Sequence, residues 1–182
     1  MMLDRYLIEH CSPTLASLKT ASLFTYRFED DLDSTVAAWN AQFAVKGISL
    51  LVLRRRENTA LIYVCRHKKL AADLKRPGVD ALLRENGYTE LSVSGALEHL
   101  RVRLAENEAF PHEIGVFLGY PVEDVIGFIE NAGQNCKCCG CWKVYCNECE
   151  AIRTFARFKK CREVYLRLWN EGRSILQLTV AA

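Results

Sequence analysis

Nine cysteines punctuate this 182-residue chain, and six of them crowd into the fourteen residues from Cys136 to Cys149. Cys136-Lys-Cys138-Cys139-Gly-Cys141 holds two overlapping CxxC pairs, Cys136/Cys139 and Cys138/Cys141, and Cys146-Asn-Glu-Cys149 supplies a third. A CxxC turn aims two thiolates at one ion, and Gly140 permits the tight bend. Two such halves offer four sulfurs, enough for tetrahedral zinc or an iron–sulfur cluster. Against this, the connection between the pairs is short, and the adjacent Cys138 and Cys139 cannot easily both bind one ion. The same residues also read as a flexible loop with adventitious metal affinity. A dithiol redox centre is a third reading, weakened because no CxxC sits in a thioredoxin-like β-α-β context. The candidate ligands are Cys136, Cys139 and Cys141 in the loop, with Cys11 and Cys161 outside it.

Cys11 precedes Ser12-Pro13, a capping serine and a proline suited to a first helical turn. Residues 2–9 make one or two helical turns that stop there, which places Cys11 beside the N-terminus of a second short helix. The partial positive charge at such an end favours thiolate. The alternative for a single cysteine is a small buried hydrophobe.

The elements that position these groups follow from changes of period. Asp33 or Ser34 caps a helix running to about Lys46, with Val36, Trp39 and Phe43 on one face and Gly47 as its stop. Ile48–Arg54 and Thr59–Arg66 are β-rich runs joined by a polar turn, an antiparallel hairpin. Their nearly continuous apolar character calls for helices over at least one face. Helical spacing returns from Lys68 to about Asn107 in three pieces, with Leu97, Leu100 and Leu104 as the stripe of the last and His99 off it, on the solvated side. Trp142–Tyr145 alternates as a short strand and is expected to add an edge to the hairpin sheet. Asn147 caps a long helix to about Gly172, with Glu150 three residues on. Cys161 then lies roughly 18 Å along that helix from Cys149, at ~1.5 Å per residue. Cys136 can approach it only if the loop folds back along the helix, as the need to cover Trp142 and Val144 with Phe155 and Phe158 implies. The fold class is α+β, a single domain over residues 1–182 with a small antiparallel sheet against several helices and a cysteine-rich loop at 136–149.

Between sheet and loop, Glu113–Ile129 has the pattern of a helix-turn-helix: Pro111 in a first turn, Gly119 at a break, Pro121 opening a helix with Val122, Val125, Ile126 and Ile129. The electrostatics oppose DNA readout, because Glu106 to Asn135 carries six acidic residues and no Lys or Arg. An αα-corner packed on the sheet is the favoured reading. Residues 136–182 are locally basic, nine cationic against four acidic, with Arg153, Arg157, Lys160 and Arg167 on one helical face. That face pairs with the acidic helices, receives an anion, or is simply solvated.

Composition narrows the classes further. The formal net charge is +2, with half the residues hydrophobic and a quarter charged. This exerts no global pull on nucleic acid or anionic membrane. No signal peptide and no apolar run near ~20 residues is present, so a cytoplasmic protein with free or ligating thiols is expected. Phosphate loops, nucleophile elbows and HExxH helices are missing, which weighs against nucleotide-driven chemistry and the familiar hydrolase triads.

Several long segments carry a resemblance: His10-Cys-Ser-Pro-Thr-Leu-Ala16 with Lys19-Thr20, Phe110-Pro-His-Glu-Ile-Gly115, Phe117-Leu-Gly-Tyr-Pro121 with Glu123-Asp-Val125, then Cys136-Lys137, Gly140, Trp142-Lys-Val-Tyr145 and Lys160-Cys161. In these the chain resembles, over essentially its whole length, the bacterial family of unknown function DUF3793, met mainly in anaerobic Gram-positive bacteria. The resemblance implies no activity or cofactor. It implies that Cys11, Cys136 and Cys161 are the recurrent cysteines, whereas Cys138, Cys139 and Cys141 vary and Cys146 and Cys149 are usually absent. A shared site would then draw on those three with His10, His112, Lys137, Lys143 and Tyr145, rather than on the local CxxC pairs. Three functions compete: a zinc or iron–sulfur thiolate site, a thiol-dependent enzyme whose anionic substrate is held by Lys137 and Lys143, and, last, a DNA-binding regulator.

Overall fold

Helix α1 (Leu3–Leu15) forms because Leu3, Leu7, Ile8, Cys11 and Leu15 fall on one stripe, all of them buried. It runs through Pro13 instead of stopping at Cys11, so Cys11 sits inside one helix and not beside the N-terminus of another. Pro13 is tolerated so close to the end because it removes a single backbone bond. The last carbonyls are then satisfied from outside: the buried Arg66 guanidinium donates to Thr14 O at 2.6 Å, Leu15 O at 2.6 Å and Val180 O at 2.8 Å. This computed structural model describes residues 3–29, 31–106 and 110–181. The expected helix start at Met2 and the helix end near Asn107 lie outside them.

The sheet has the order β1-β3-β2, all antiparallel: β1 (Ala21–Arg27), β2 (Ile48–Arg56) and β3 (Thr59–Arg66). The hairpin β2–β3 is as expected. The third strand is a correction: β1 supplies it, and Trp142–Tyr145 does not join this sheet. Instead Cys138–Cys139 (β4) and Lys143–Val144 (β5) pair with each other in a separate ribbon. β3, as the central strand, alternates its side chains between two cores. Tyr63 and Cys65 face a cluster with Leu70, Leu83, Leu100, Val116 and Phe117, while Ile62 and Val64 face Leu7, Cys11, Phe24 and Phe43. The fold is thus α+β, a three-stranded antiparallel sheet covered by helices on both faces.

On the first face lie α3 (His67–Asp73), α4 (Val79–Glu85), α5 (Val93–Glu106), α6 (Ile114–Phe117) and α7 (Val122–Glu130). Residue 99 departs from expectation: the His99 ring is half-buried, 4.3 Å from that of Tyr88. On the second face lie α1, α2 (Leu32–Phe43), α8 (Glu148–Asn170) and α9 (Ile175–Leu178). Asp31, not Asp33 or Ser34, caps α2, its carboxylate accepting from the backbone of both. The corner expected at Gly119 is present, with a first helix of only four residues. Gly119 adopts φ +77°, and a Cβ there would come within 2.6 Å of Thr20 Oγ1. The exposed positions of α7 include Glu123 and Glu130. Among the described residues no helix is long and apolar enough to cross a membrane.

Candidate functional site

The corner and the cysteine ribbon are joined through one carboxylate. Asp124, in the first turn of α7 and 2% exposed, accepts from Trp142 Nε1 at 2.7 Å, Tyr145 N at 2.7 Å, Cys146 N at 3.0 Å and Cys146 Sγ at 3.1 Å. Burial alone would raise its pKa. The donors from Tyr145, Cys146 and Trp142 outweigh that and hold it below the usual carboxylate value. From the sequence Asp124 reads only as a complement to the helix dipole; nothing local marks it as the anchor of a loop some twenty residues on.

The ribbon is braced from its other side by the residues expected to hold an anion. Lys137 Nζ donates to Cys146 O at 2.9 Å, Lys143 Nζ to Gly133 O at 2.6 Å, and Tyr145 Oη to Gln134 O at 2.9 Å. Backbone carbonyls therefore already engage both ammonium groups and the phenol. The ribbon also lies back along α8, as the cover for Trp142 requires. Trp142 meets Phe155 edge-on at 4.5 Å between centroids, Gly140 passes over the same ring, and Val144 is fully buried. A Cβ on Gly140 would stand 2.3 Å from Phe155 Cδ2, so only glycine permits this approach.

The cysteines do not converge. Cys11 is fully buried in α1, and desolvation pushes its thiol up to about 12. Cys161, 9% exposed on α8, is pushed up to about 11 by burial. Cys136 and Cys141 are half-buried and Cys139 is exposed, all as free thiols. Cys146 donates to Asp124, and burial followed by that hydrogen bond raises its pKa. Among the described residues no group of three or more His, Cys, Asp or Glu is placed to hold a metal ion. Neither the CxxC pairs nor the dispersed set of Cys11, Cys136 and Cys161 forms a ready-made centre. The two candidate histidines lie apart as well. His10 stacks on Phe24 at 5.3 Å, its pKa lowered by burial, and His112 sits 5.0 Å from Phe128 on the corner.

What the fold does assemble is a cleft of about 710 Å³ between the end of α1, the corner and the start of α8. Its cations, Lys19, Lys69 and Arg76, come from the α1–β1 connection, α3 and the turn after α3; its carboxylates, Glu123, Asp124 and Glu150, belong to α7 and α8. Arg76 is committed, to Asp73 at 3.4 Å and Tyr120 O at 3.0 Å. Lys69 and Lys19 are not: among the described residues neither ammonium has an ion pair or a hydrogen bond, and the Lys19 ammonium stands 5.3 Å from the centre of the Tyr120 ring. Burial lowers its pKa, an effect opposed by the Cys141 and Cys11 sulfurs.

Around Lys19 the ribbon and α8 bring a thiol to two cations. Arg162 Nη2 donates to Cys141 Sγ at 3.6 Å, and Cys141 lies within electrostatic reach of Lys19. Tyr120 stacks on Trp142 at 4.9 Å and donates its hydroxyl to Cys141 O at 3.1 Å; burial pushes that phenol up to about 12. Of this group only Cys141 was a candidate from spacing. Lys19, Tyr120 and Trp142 fall in segments that carry the family resemblance, the one signal that marks them. Arg162 had no signal.

No curated protein and no solved structure matches the chain. Residues 7–179 match the model of the family described as "Protein of unknown function (DUF3793)", so nearly the whole chain, including the cleft, the corner and the ribbon, belongs to that family.

Proposed function

We propose that the chain binds a small anionic molecule in the cleft, with Lys19 as the group that meets its charge. The observation that carries this reading is the half-buried Lys19 ammonium, which lines the cleft without a carboxylate partner. Removing a cation from water is costly unless its charge is answered. Asp124 offers no answer because both its oxygens are taken, Glu150 accepts from Asn147 at 3.0 Å, and Glu123, exposed on the cleft wall, forms no ion pair with Lys19. The test is thermal shift with orthophosphate, pyrophosphate and citrate as probes on the parent and Lys19→Met. At least one probe is expected to raise the parent's midpoint and not the variant's. Equal shifts in both proteins, or none with any probe, would remove the reading.

A second reading, thiol-dependent chemistry on that anion, is favoured by the Arg162–Cys141 contact. A negatively charged reagent approaching Cys141 meets Arg162 and Lys19, each worth about 1 kcal/mol at ~4 Å in a water-like dielectric. The ratio of iodoacetate to iodoacetamide labelling is therefore expected to be about thirtyfold higher at Cys141 than at the exposed Cys139 and Cys149, read by peptide mass spectrometry. It should fall in Lys19→Met and in Arg162→Met. A ratio at Cys141 equal to that at Cys149 would end this second reading and leave the first standing.

A further inference from the structure

A second cavity, of about 300 Å³, opens on the other side of the Tyr120–Trp142 stack, between the corner and the ribbon. Phe110, Ile114, Val125, Phe128 and Trp142 form its walls, so its interior is apolar and largely aromatic. The volume is about twice the ~150 Å³ that accommodates one benzene ring. It therefore suits a fused bicycle or a ring with a short substituent. Flat rings are favoured over flexible chains here, because Phe128 and Trp142 offer faces and edges for offset or edge-on contact.

The polar side chains lining this cavity include those of His112, Lys143, Cys139 and Asp124. His112 and Lys143 flank the Phe128 ring, the histidine at 5.0 Å between centroids and the Lys143 ammonium at 5.8 Å from the ring centre. Lys143 spends one N–H on Gly133 O, which fixes the ammonium at the rim and leaves two donors. Asp124, which lines the inner wall, turns both oxygens away from the ligand space, to Trp142, Tyr145 and Cys146. A ligand's carboxylate at this rim would meet the Lys143 donors, while the Asp124 charge is directed into its own four hydrogen bonds.

From the aromatic walls and the Lys143–His112 rim we infer a binding site for a planar aromatic carboxylate, its ring between Phe128 and Trp142 and its carboxylate on Lys143. This site shares Tyr120, Asp124 and Trp142 with the wall of the Lys19 cleft, but the inference does not rest on an anion bound there. Isothermal titration of the intact chain with 2-naphthoate tests it, with 2-naphthamide as the uncharged counterpart and octanoate as the non-aromatic acid. Saturable binding of 2-naphthoate is expected. Lys143→Met should weaken it about tenfold, the loss of one charge-assisted hydrogen bond, while leaving 2-naphthamide unaffected; Lys143→Arg should recover it. Phe110→Ser, at a wall residue 37% exposed, should weaken both aromatic probes without unfolding the chain. Lys19→Met should change neither. Bound 2-naphthoate should slow maleimide labelling of Cys139, which lines the cavity, and not of Cys149. No saturable heat with 2-naphthoate up to about 1 mM, equal affinity in the parent and Lys143→Met, or octanoate binding as tightly as 2-naphthoate would each overturn the inference.

Discussion

Replacing Asp124 by asparagine isolates the contact that ties the ribbon to the corner, since shape is kept and charge is lost. Three N–H donors, Trp142 Nε1, Tyr145 N and Cys146 N, then face an amide instead of a carboxylate. A hydrogen bond to a charged acceptor contributes about 1 kcal/mol more than one to a neutral acceptor. With the residue only 2% exposed, solvent screens little of this, and the sum is about 3 kcal/mol. For a chain of this length that lowers the thermal midpoint by roughly 6–12 °C. The effect depends on pH with a definite sign. Because the folded pKa of Asp124 lies below its ordinary value of 3.8, the carboxylate's contribution is complete above that ordinary value. It is lost as pH falls through the folded pKa. The gap in midpoint between parent and Asp124→Asn should therefore be full at pH 7 and close progressively below about pH 4. Local opening gives a second readout, as Cys146 loses its charged partner and should alkylate faster in the variant. A gap below about 1 kcal/mol that does not change with pH, together with unchanged Cys146 labelling, would refute the assignment of Asp124 as the anchor.

Two further perturbations probe the frame and the thiols. Arg66→Met removes three charge-assisted hydrogen bonds, to Thr14 O, Leu15 O and Val180 O, while Ser17 N and Val180 N still serve the first two carbonyls, so denaturant unfolding should show a loss of about 3–5 kcal/mol. A loss under about 1 kcal/mol would mean that water replaces the guanidinium. Zinc at one equivalent should move the midpoint by less than about 1 °C, because an ion that finds no three converged donors binds too weakly to add more than ~0.4 kcal/mol. A rise of roughly 10 °C or more would show that the ribbon reorganises around the ion.

Some of this protein is written in neighbouring residues. The β2–β3 hairpin follows from two β-rich runs around a polar turn, and α7 and α8 from apolar residues at helical spacing behind Pro121 and Asn147. Even the fold-back of the ribbon follows from a local need, since Trp142 and Val144 require apolar cover and Phe155 lies on the nearest helix. These features are legible because propensity, capping and amphipathic period act over a few residues. The ribbon's partner is not legible in neighbouring residues, for the same reason. Trp142–Tyr145 has strand character, but β1 occupies the free edge of β3, and short-range pattern does not say which edge a strand will find. Pro13 reads as a stop until Arg66 arrives from β3 to complete the end of α1.

The site belongs almost wholly to the tertiary structure. Cysteine spacing singles out a cluster but says nothing of where the sulfurs point; folding buries Cys11 and Cys161, gives Cys146 to Asp124 and leaves Cys141 beside Arg162. Lys137 and Lys143 look like ligand-binding cations in the sequence, and backbone carbonyls claim both. Lys19 draws no notice there, and among the described residues it is left, with Lys69, without an acceptor in the larger cleft. The sequence alone establishes which groups can carry charge or react. Whether a given charge is answered by the protein or left for a ligand depends on partners brought in from distant segments, and that pairing exists only once the chain has folded.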